Sequence, residues 1–104
     1  MARQNEYQVI VSNRASQMLV SHVAFLAQVN KDAAEKVVLS FEHSINSLKV
    51  MPYRCPRFRG QYIPQSIYRY LIFEKRYLII LQIKDDIVYA DYILDCGQDY
   101  RWLL

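Results

Sequence analysis

Arginine and tyrosine side chains in the second half of the chain are the residues best suited to chemistry. Tyr68 and Tyr70 share one face of a predicted strand, and Tyr92 lies on a neighbouring strand. Arg69 points to the opposite face, and Asp91 would form an ion pair with it if the two shared a face. Arginine can hold a phosphate through its planar guanidinium, and tyrosine can stack on a base or donate a proton. Tyrosine is also a good strand former, so a structural role stays open beside binding or catalysis.

Basic side chains concentrate in the middle of the sequence. Residues 49–84 carry eight basic side chains and one acidic one, whereas residues 85–104 carry five acidic and one basic. The basic block suits phosphate or an acidic partner, or it only solvates a loop and a sheet edge. The candidates for binding nucleic acid or a protein target are Arg54, Arg57, Arg59, Lys75 and Arg76.

Histidine and cysteine give no recognisable catalytic or metal-binding pattern. His22 falls on the apolar stripe of a predicted helix, where we expect a packed and hydrogen-bonded ring, and His43 is expected to face solvent. Cys55 and Cys96 are expected to stay reduced. The sequence has neither CxxC nor HxxxH spacing and no glycine-rich phosphate loop, so we expect no metal and no cofactor.

Length and composition indicate one domain over residues 1–104. The chain is 53% hydrophobic and 22% charged, which is enough apolar surface for one core. No apolar run approaches the ~20 residues that span a bilayer, and no apolar secretory segment follows the first residues. We therefore expect a cytoplasmic protein with no membrane partner.

The elements that position these residues follow from periodicity. An alternating stretch at 7–12 predicts a strand, and residues 12–13 both offer a side chain that can cap the following helix. The apolar stripe of that helix runs over 15–29. Asp32 can cap a second helix, which ends before Pro52, so the two helices should form an antiparallel hairpin.

Three further strands follow a loop at residues 52–66. They span residues 67–73, 77–83 and 87–94 and are joined by short turns, as in an antiparallel meander. The first strand must join the same sheet, because an isolated strand leaves its backbone groups unsatisfied. The predicted class is α+β: an N-terminal strand, a helical hairpin on one sheet face, and three antiparallel strands. The apolar residues of the tail at 99–104 are expected to dock on this body.

Three stretches, in their order and spacing, resemble the RelE/ParE superfamily of bacterial type II toxin–antitoxin toxins, the plasmid-stabilisation protein family. The resemblance spans nearly the whole chain and implies a helical hairpin on a twisted, mostly antiparallel sheet. The stretches are the strand and helix junction from Tyr7 to Ala15, the helix end at Ile45-Asn46-Ser47-Leu48 with Met51-Pro52, and the strand hairpin from Arg76 to Tyr89 followed by Ile93-Leu94-Asp95 and Asp99-Tyr100.

The resemblance implies a toxin that inhibits growth and is neutralised by a cognate antitoxin in a hetero-oligomer. RelE-like members cleave mRNA on the ribosome without a metal, which would make this chain an RNA-binding endoribonuclease. ParE-like members poison DNA gyrase instead, and the fold does not choose between the two targets. The alternative is a catalytically decayed toxin fold, a binding module that only sequesters an antitoxin.

The resemblance also implies roles for individual residues. Arg69 matches a basic position on the second strand of the nucleases and Tyr100 matches their C-terminal tyrosine, so these two side chains would be catalytic. Asp95 and Asp99 belong to the C-terminal motif of the family.

Two positions depart from the nuclease pattern. Leu78 stands where an arginine follows tyrosine, and Gly97-Gln98 stands where basic residues precede Asp-Tyr. Metal-free RNA cleavage needs a base, cations for the phosphate and an acid for the leaving oxygen. By analogy with oxyanion donors, each absent contact costs ~2.7–4 kcal/mol of transition-state stabilisation. A nuclease activity would therefore be weakened unless Arg57, Arg59 or Arg76 substitutes.

Overall fold

The computed structural model describes residues 6–59 and 67–96. The predicted order of one strand, two helices and three strands is confirmed, and the class is α+β. The elements are β1 (Gln8–Val11), α1 (Asn13–Val29), α2 (Lys31–Ser47), a 3₁₀ turn (Pro52–Arg54), β2 (Tyr68–Phe73), β3 (Tyr77–Lys84) and β4 (Ile87–Asp95).

Side-chain caps set where the two helices begin. Ser12 caps α1, because its Oγ accepts a hydrogen bond from the Ala15 amide at 3.0 Å. Asn30 caps α2 by accepting from the Ala33 amide at 3.0 Å, so the prediction that Asp32 is the cap was wrong. Asp32 lies in the first turn of α2 instead, where a negative charge complements the helix dipole.

The four strands form one sheet in the order β1-β4-β3-β2. β1 joins this sheet as predicted and runs parallel to β4, while the other neighbours are antiparallel. The outer edge of β2 is covered by the segment after the 3₁₀ turn. There the Phe58 amide donates to the Tyr68 carbonyl at 2.9 Å and the Tyr70 amide donates to the Pro56 carbonyl at 3.0 Å.

The helical hairpin packs on one face of the sheet, as predicted. Ala15 of α1 and Val37 and Phe41 of α2 are buried in this main core. Burial of each aliphatic side chain stabilises the folded state by ~1.5–3 kcal/mol, and this burial holds the helices on the sheet. The strand residues of the main core are Phe73, Tyr77, Ile79, Leu81, Val88, Ala90 and Ile93.

The described residues cover the opposite side of the sheet, which we call the open face, only in part. A smaller buried cluster forms there from Phe58, Ile80 and Leu94. Tyr68, Tyr70, Leu78 and Tyr92 pack against this cluster and are half-buried.

Candidate functional site

Aromatic side chains line the open face. Alternation along β2 directs Tyr68 and Tyr70 to this face, away from the helices. The rings of Tyr68 and Tyr92 meet edge to face with centroids 6.0 Å apart, and Phe58 meets Tyr70 in the same way at 6.2 Å. Tyr68 and Tyr70 thus share a face as predicted, and Tyr92 packs against the same buried cluster.

Asp91 lies on the tyrosine side of the sheet. The pairing of β3 with β4 shifts between Ile80 and Leu81, which leaves Asp91 as the extra residue of a bulge. Its Oδ2 accepts from the Tyr68 hydroxyl at 3.0 Å and from Gln82 Nε2 at 2.8 Å. Asp91 and Arg69 therefore lie on opposite faces of the sheet and do not meet the condition for an ion pair between them. The alternation of residue types along the strand does not reveal a bulge, so the sequence did not predict this position of Asp91.

The Tyr68 hydroxyl is a hydrogen-bond donor and not a base. Burial, and then the hydrogen bond to Asp91, raise the pKa of Tyr68 from its ordinary value of 10.0 to about 12. The phenol therefore keeps its proton at neutral pH. The Tyr68–Asp91 contact consequently fixes the shape of the open face and is poorly suited to general base catalysis.

The start of α1 is tied to the same face. The Arg14 guanidinium carbon lies 4.7 Å from the centroid of the Tyr92 ring, a cation–π contact. The Ser12 hydroxyl donates to the Asp91 carbonyl oxygen at 3.2 Å. Helical periodicity places Arg14 off the apolar stripe of α1 and gives no sign of this contact.

Arg69 reaches the other side of the sheet and contacts the chain after α2. Its Nη1 donates to the Cys55 carbonyl at 2.7 Å and, more weakly, to the Tyr53 carbonyl at 3.4 Å. The guanidinium carbon also lies 5.0 Å from the centroid of the Tyr53 ring. The side chain predicted to hold a phosphate thus anchors the segment at 53–55.

The three loop arginines differ in their contacts. Arg54 donates to Ser47 Oγ at 3.0 Å and to the carbonyls of residues 50 and 51 at 3.2 and 3.3 Å, which closes the C-terminal end of α2. Arg57 is exposed and forms a backbone bridge with Arg69, and Arg59 is also exposed.

Arg76 and Asp95 form an ion pair at the end of the β3–β4 hairpin. Nε and Nη2 of Arg76 donate to the two carboxylate oxygens of Asp95 at 2.7 and 3.0 Å. The Asp95 residue is buried, whereas the Arg76 side chain is half-exposed. Lys75 lies in the preceding turn with a positive φ of 61°.

Arg69 and Arg76, the two arginines in or next to the strands that were candidates for holding a phosphate, lie far apart in the sheet. Arg69 pairs in register with Leu81, whereas Arg76 directly precedes β3. At ~3.4 Å per residue these positions are roughly 17 Å apart along the strand. Arg69 and Arg76 therefore do not meet around one phosphate. Tyr100 and Asp99, with Gly97-Gln98, lie outside these residues.

The histidines and cysteines behave as packing or surface residues. His22 Nε2 lies 3.0 Å from the Ile93 carbonyl, and His43 is exposed, in agreement with both predictions. Cys55 is buried and Cys96 is exposed. Burial raises the pKa of the Cys55 thiol, and partial desolvation followed by the nearby Asp95 carboxylate raises the pKa of the Cys96 thiol. Across residues 6–59 and 67–96 there is no group of three His, Cys, Asp or Glu that could hold a metal ion. Within the same ranges, no helix has the length and apolar character needed to cross a membrane.

Comparison with known proteins gives a family and a fold. The sequence model of a family described as "ParE toxin of type II toxin-antitoxin system, parDE" matches residues 9–100. Among solved structures, the chain is similar to one described as "Chromosomal ParDE TA system from P. aeruginosa", with a TM-score of 0.72 and 13% sequence identity over 88% of this chain and 98% of that one. At this identity the likeness shows the fold alone. No curated protein matches the sequence significantly.

Proposed function

The chain belongs to the ParE toxin family of type II toxin–antitoxin systems, and from this premise we propose that it inhibits bacterial growth until a cognate antitoxin binds it. The proposed complex is a toxin–antitoxin hetero-oligomer in the cytoplasm. We also propose that residues 1–104 form one toxin domain. The family match over residues 9–100 supports the toxin role and the single domain.

We propose further that the toxin acts on a protein, DNA gyrase as in ParE-like members, and not on mRNA. The observation that supports this choice is the engagement of Arg69. Its guanidinium bonds to the Cys55 carbonyl and stacks on Tyr53, so it would have to leave both contacts to hold a phosphate. The bidentate pairing of Arg76 with Asp95 removes a second candidate in the same way.

The open face also favours a protein over an RNA target. Leu78 packs into the apolar cluster of this face, at the position where the nucleases carry an arginine. Tyr68 is a tyrosine of this face that could transfer a proton. Burial and the hydrogen bond to Asp91 raise its pKa to about 12, so its hydroxyl stays protonated. With Arg69 and Arg76 engaged in other contacts and Tyr68 protonated, in-line cleavage of RNA would lose several kcal/mol of the stabilisation that these side chains could supply.

The test is induction of the chain from a tight promoter, with the adjacent gene supplied or withheld. We expect growth arrest that the adjacent gene relieves. Purified toxin should then inhibit DNA supercoiling by gyrase, while mRNA 5′ ends in arrested cells remain those of uninduced cells.

Tyr100→Phe separates the two targets. This substitution removes the hydroxyl that the nuclease interpretation needs, so a nuclease would lose its growth arrest. On the proposal made here, Tyr100→Phe arrests growth like the wild type. New translation-dependent mRNA ends that vanish in this variant would overturn the gyrase proposal. Normal growth of cells that make abundant folded wild-type protein would instead indicate the binding module that only sequesters an antitoxin.

A further inference from the structure

A patch of large apolar side chains stands exposed just after α2. It consists of Val50, Met51 and Tyr53, which we call the Met51 patch; Met51 is 71% and Tyr53 is 56% exposed. Met51 and Tyr53 line a cleft of about 490 Å³ together with Tyr7 and Arg54. Contiguous exposed apolar side chains, unlike single ones, are a known feature of interaction surfaces.

The backbone holds Met51 in an unfavourable conformation. Its φ of 52° and ψ of 54° lie in the left-handed region, which a residue with a Cβ normally avoids. Two hydrogen bonds from Arg54 stabilise this turn: its amide and its Nη1 donate to the Met51 carbonyl at 3.1 and 3.3 Å. Such strain persists where the surrounding structure imposes it, and it concentrates at functional positions.

Tyr53 is positioned before any partner arrives. The Arg69 guanidinium lies 5.0 Å from the centroid of its ring, and the Tyr7 ring meets it at 6.4 Å and 72°. An aromatic ring that is fixed yet half-exposed loses little conformational entropy on binding. Tyrosine and methionine are also enriched at the centres of protein–protein interfaces.

Basic residues outnumber acidic ones around the Met51 patch. The acidic neighbours are Glu6, directly before Tyr7, and Asp86, whose carbonyl accepts from the Gln8 amide at 2.9 Å. A second copy of this chain would bring basic rim against basic rim, which disfavours self-association. A nucleic acid would place phosphates against an aliphatic centre, so the fitting occupant is a peptide with both acidic and apolar side chains. In the described ranges 49–59 and 67–73, the charged side chains are Lys49, Arg54, Arg57, Arg59 and Arg69.

We propose that the Met51 patch binds an acidic segment of the cognate antitoxin that inserts apolar side chains between Met51 and Tyr53. This inference rests on the proposed function, because it needs an antitoxin. It adds the place and the chemistry of the contact. The basic rim would speed association, and the apolar centre would hold the complex.

The experiment measures the affinity of the purified adjacent-gene product for the full-length toxin and three variants. Met51→Asn removes the apolar side chain and keeps a residue that tolerates the left-handed region. Lys49→Glu reverses an exposed rim charge and leaves the turn intact. The matched control is Leu39→Gln, which makes an equally exposed side chain on α2 polar; Leu39 is 65% exposed.

We expect Met51→Asn to raise the Kd about tenfold or more, as for a central interface residue. Lys49→Glu should slow association, and the effect should shrink as salt is added. Leu39→Gln should bind like the wild type, and circular dichroism should show the same helix content for all four proteins. In cells, Met51→Asn should arrest growth and escape rescue by the adjacent gene.

The outcomes separate this inference from the proposed function. If the wild type binds the adjacent-gene product, and Met51→Asn and Lys49→Glu bind it as tightly as the wild type, the patch inference is overturned and the proposed function stands. If Met51→Asn binds normally but no longer arrests growth, the patch contacts the target, which also overturns the inference. If the wild type neither arrests growth nor binds the adjacent-gene product, the proposed function itself falls. Should Met51→Asn fail to fold, the salt-dependent effect of Lys49→Glu decides the question.

Discussion

Replacing Arg69 by alanine tests whether this side chain maintains the fold or takes part in chemistry. Its Nη1 donates to the Cys55 carbonyl at 2.7 Å, and its guanidinium lies 5.0 Å from the Tyr53 ring. A hydrogen bond from a charged donor contributes ~1.5–3 kcal/mol, and an exposed cation–π contact adds ~0.5–1 kcal/mol. Because Arg69 is partly exposed, the lower ends apply, and Arg69→Ala should lower the free energy of unfolding by about 2 kcal/mol.

Urea denaturation measures this loss. With a slope of ~1–2 kcal/mol per molar urea, the midpoint should fall by roughly 1–2 M. The matched control is Arg59→Ala, which removes the same charge from an exposed position and should change stability by at most ~0.5 kcal/mol. Arg69→Lys should restore only part of the loss, because an ammonium group cannot stack as a planar guanidinium does.

One result would refute this reasoning. If Arg69→Ala and Arg59→Ala unfold at the same urea concentration while only Arg69→Ala stops growth arrest, then Arg69 acts on the target and not on the fold. The catalytic assignment made from sequence would then be the better one.

Three further predictions concern the described residues outside the Met51 patch. Arg76→Met should lower the free energy of unfolding by ~1–3 kcal/mol, because it removes two charge-assisted hydrogen bonds from a carboxylate that is only 5% exposed. Asp95→Asn should cost less, since the Arg76 side chain is 49% exposed and can be hydrated; equal losses in thermal unfolding would contradict this asymmetry. Because the pKa of Tyr68 is raised from 10.0 to about 12 in the folded state, the native state holds this proton more tightly, and stability should fall as pH rises through this interval. Urea titrations of Tyr68→Phe should show a smaller fall, and an identical pH dependence would disprove the assignment. A thiol reagent followed by mass spectrometry should label exposed Cys96 at once and buried Cys55 only after unfolding; rapid double labelling of native protein would contradict this.

Local patterns in the sequence predicted the frame of this protein. Alternation and helical periodicity placed the strands and helices within a few residues of their observed bounds, because both patterns depend on which side chains face one core. The Ser12 cap and the shared face of Tyr68 and Tyr70 were also predictable, since each depends on residues close in sequence. The wrong cap at Asp32 came from preferring a capping-box spacing over Asn30, although Asn30 is equally able to accept the bond.

Contacts between distant segments decided what the candidate site residues do. The bulge in β4 turned Asp91 toward Tyr68, and the return of the chain after α2 brought the Cys55 carbonyl to Arg69. The left-handed turn that exposes Met51 likewise depends on how residues 50–54 close α2. Residue types and their spacing were therefore enough to predict the element order and the family resemblance. Which charges are already paired depends on distances between segments that are far apart along the chain, so the pairing became visible in the folded structure alone.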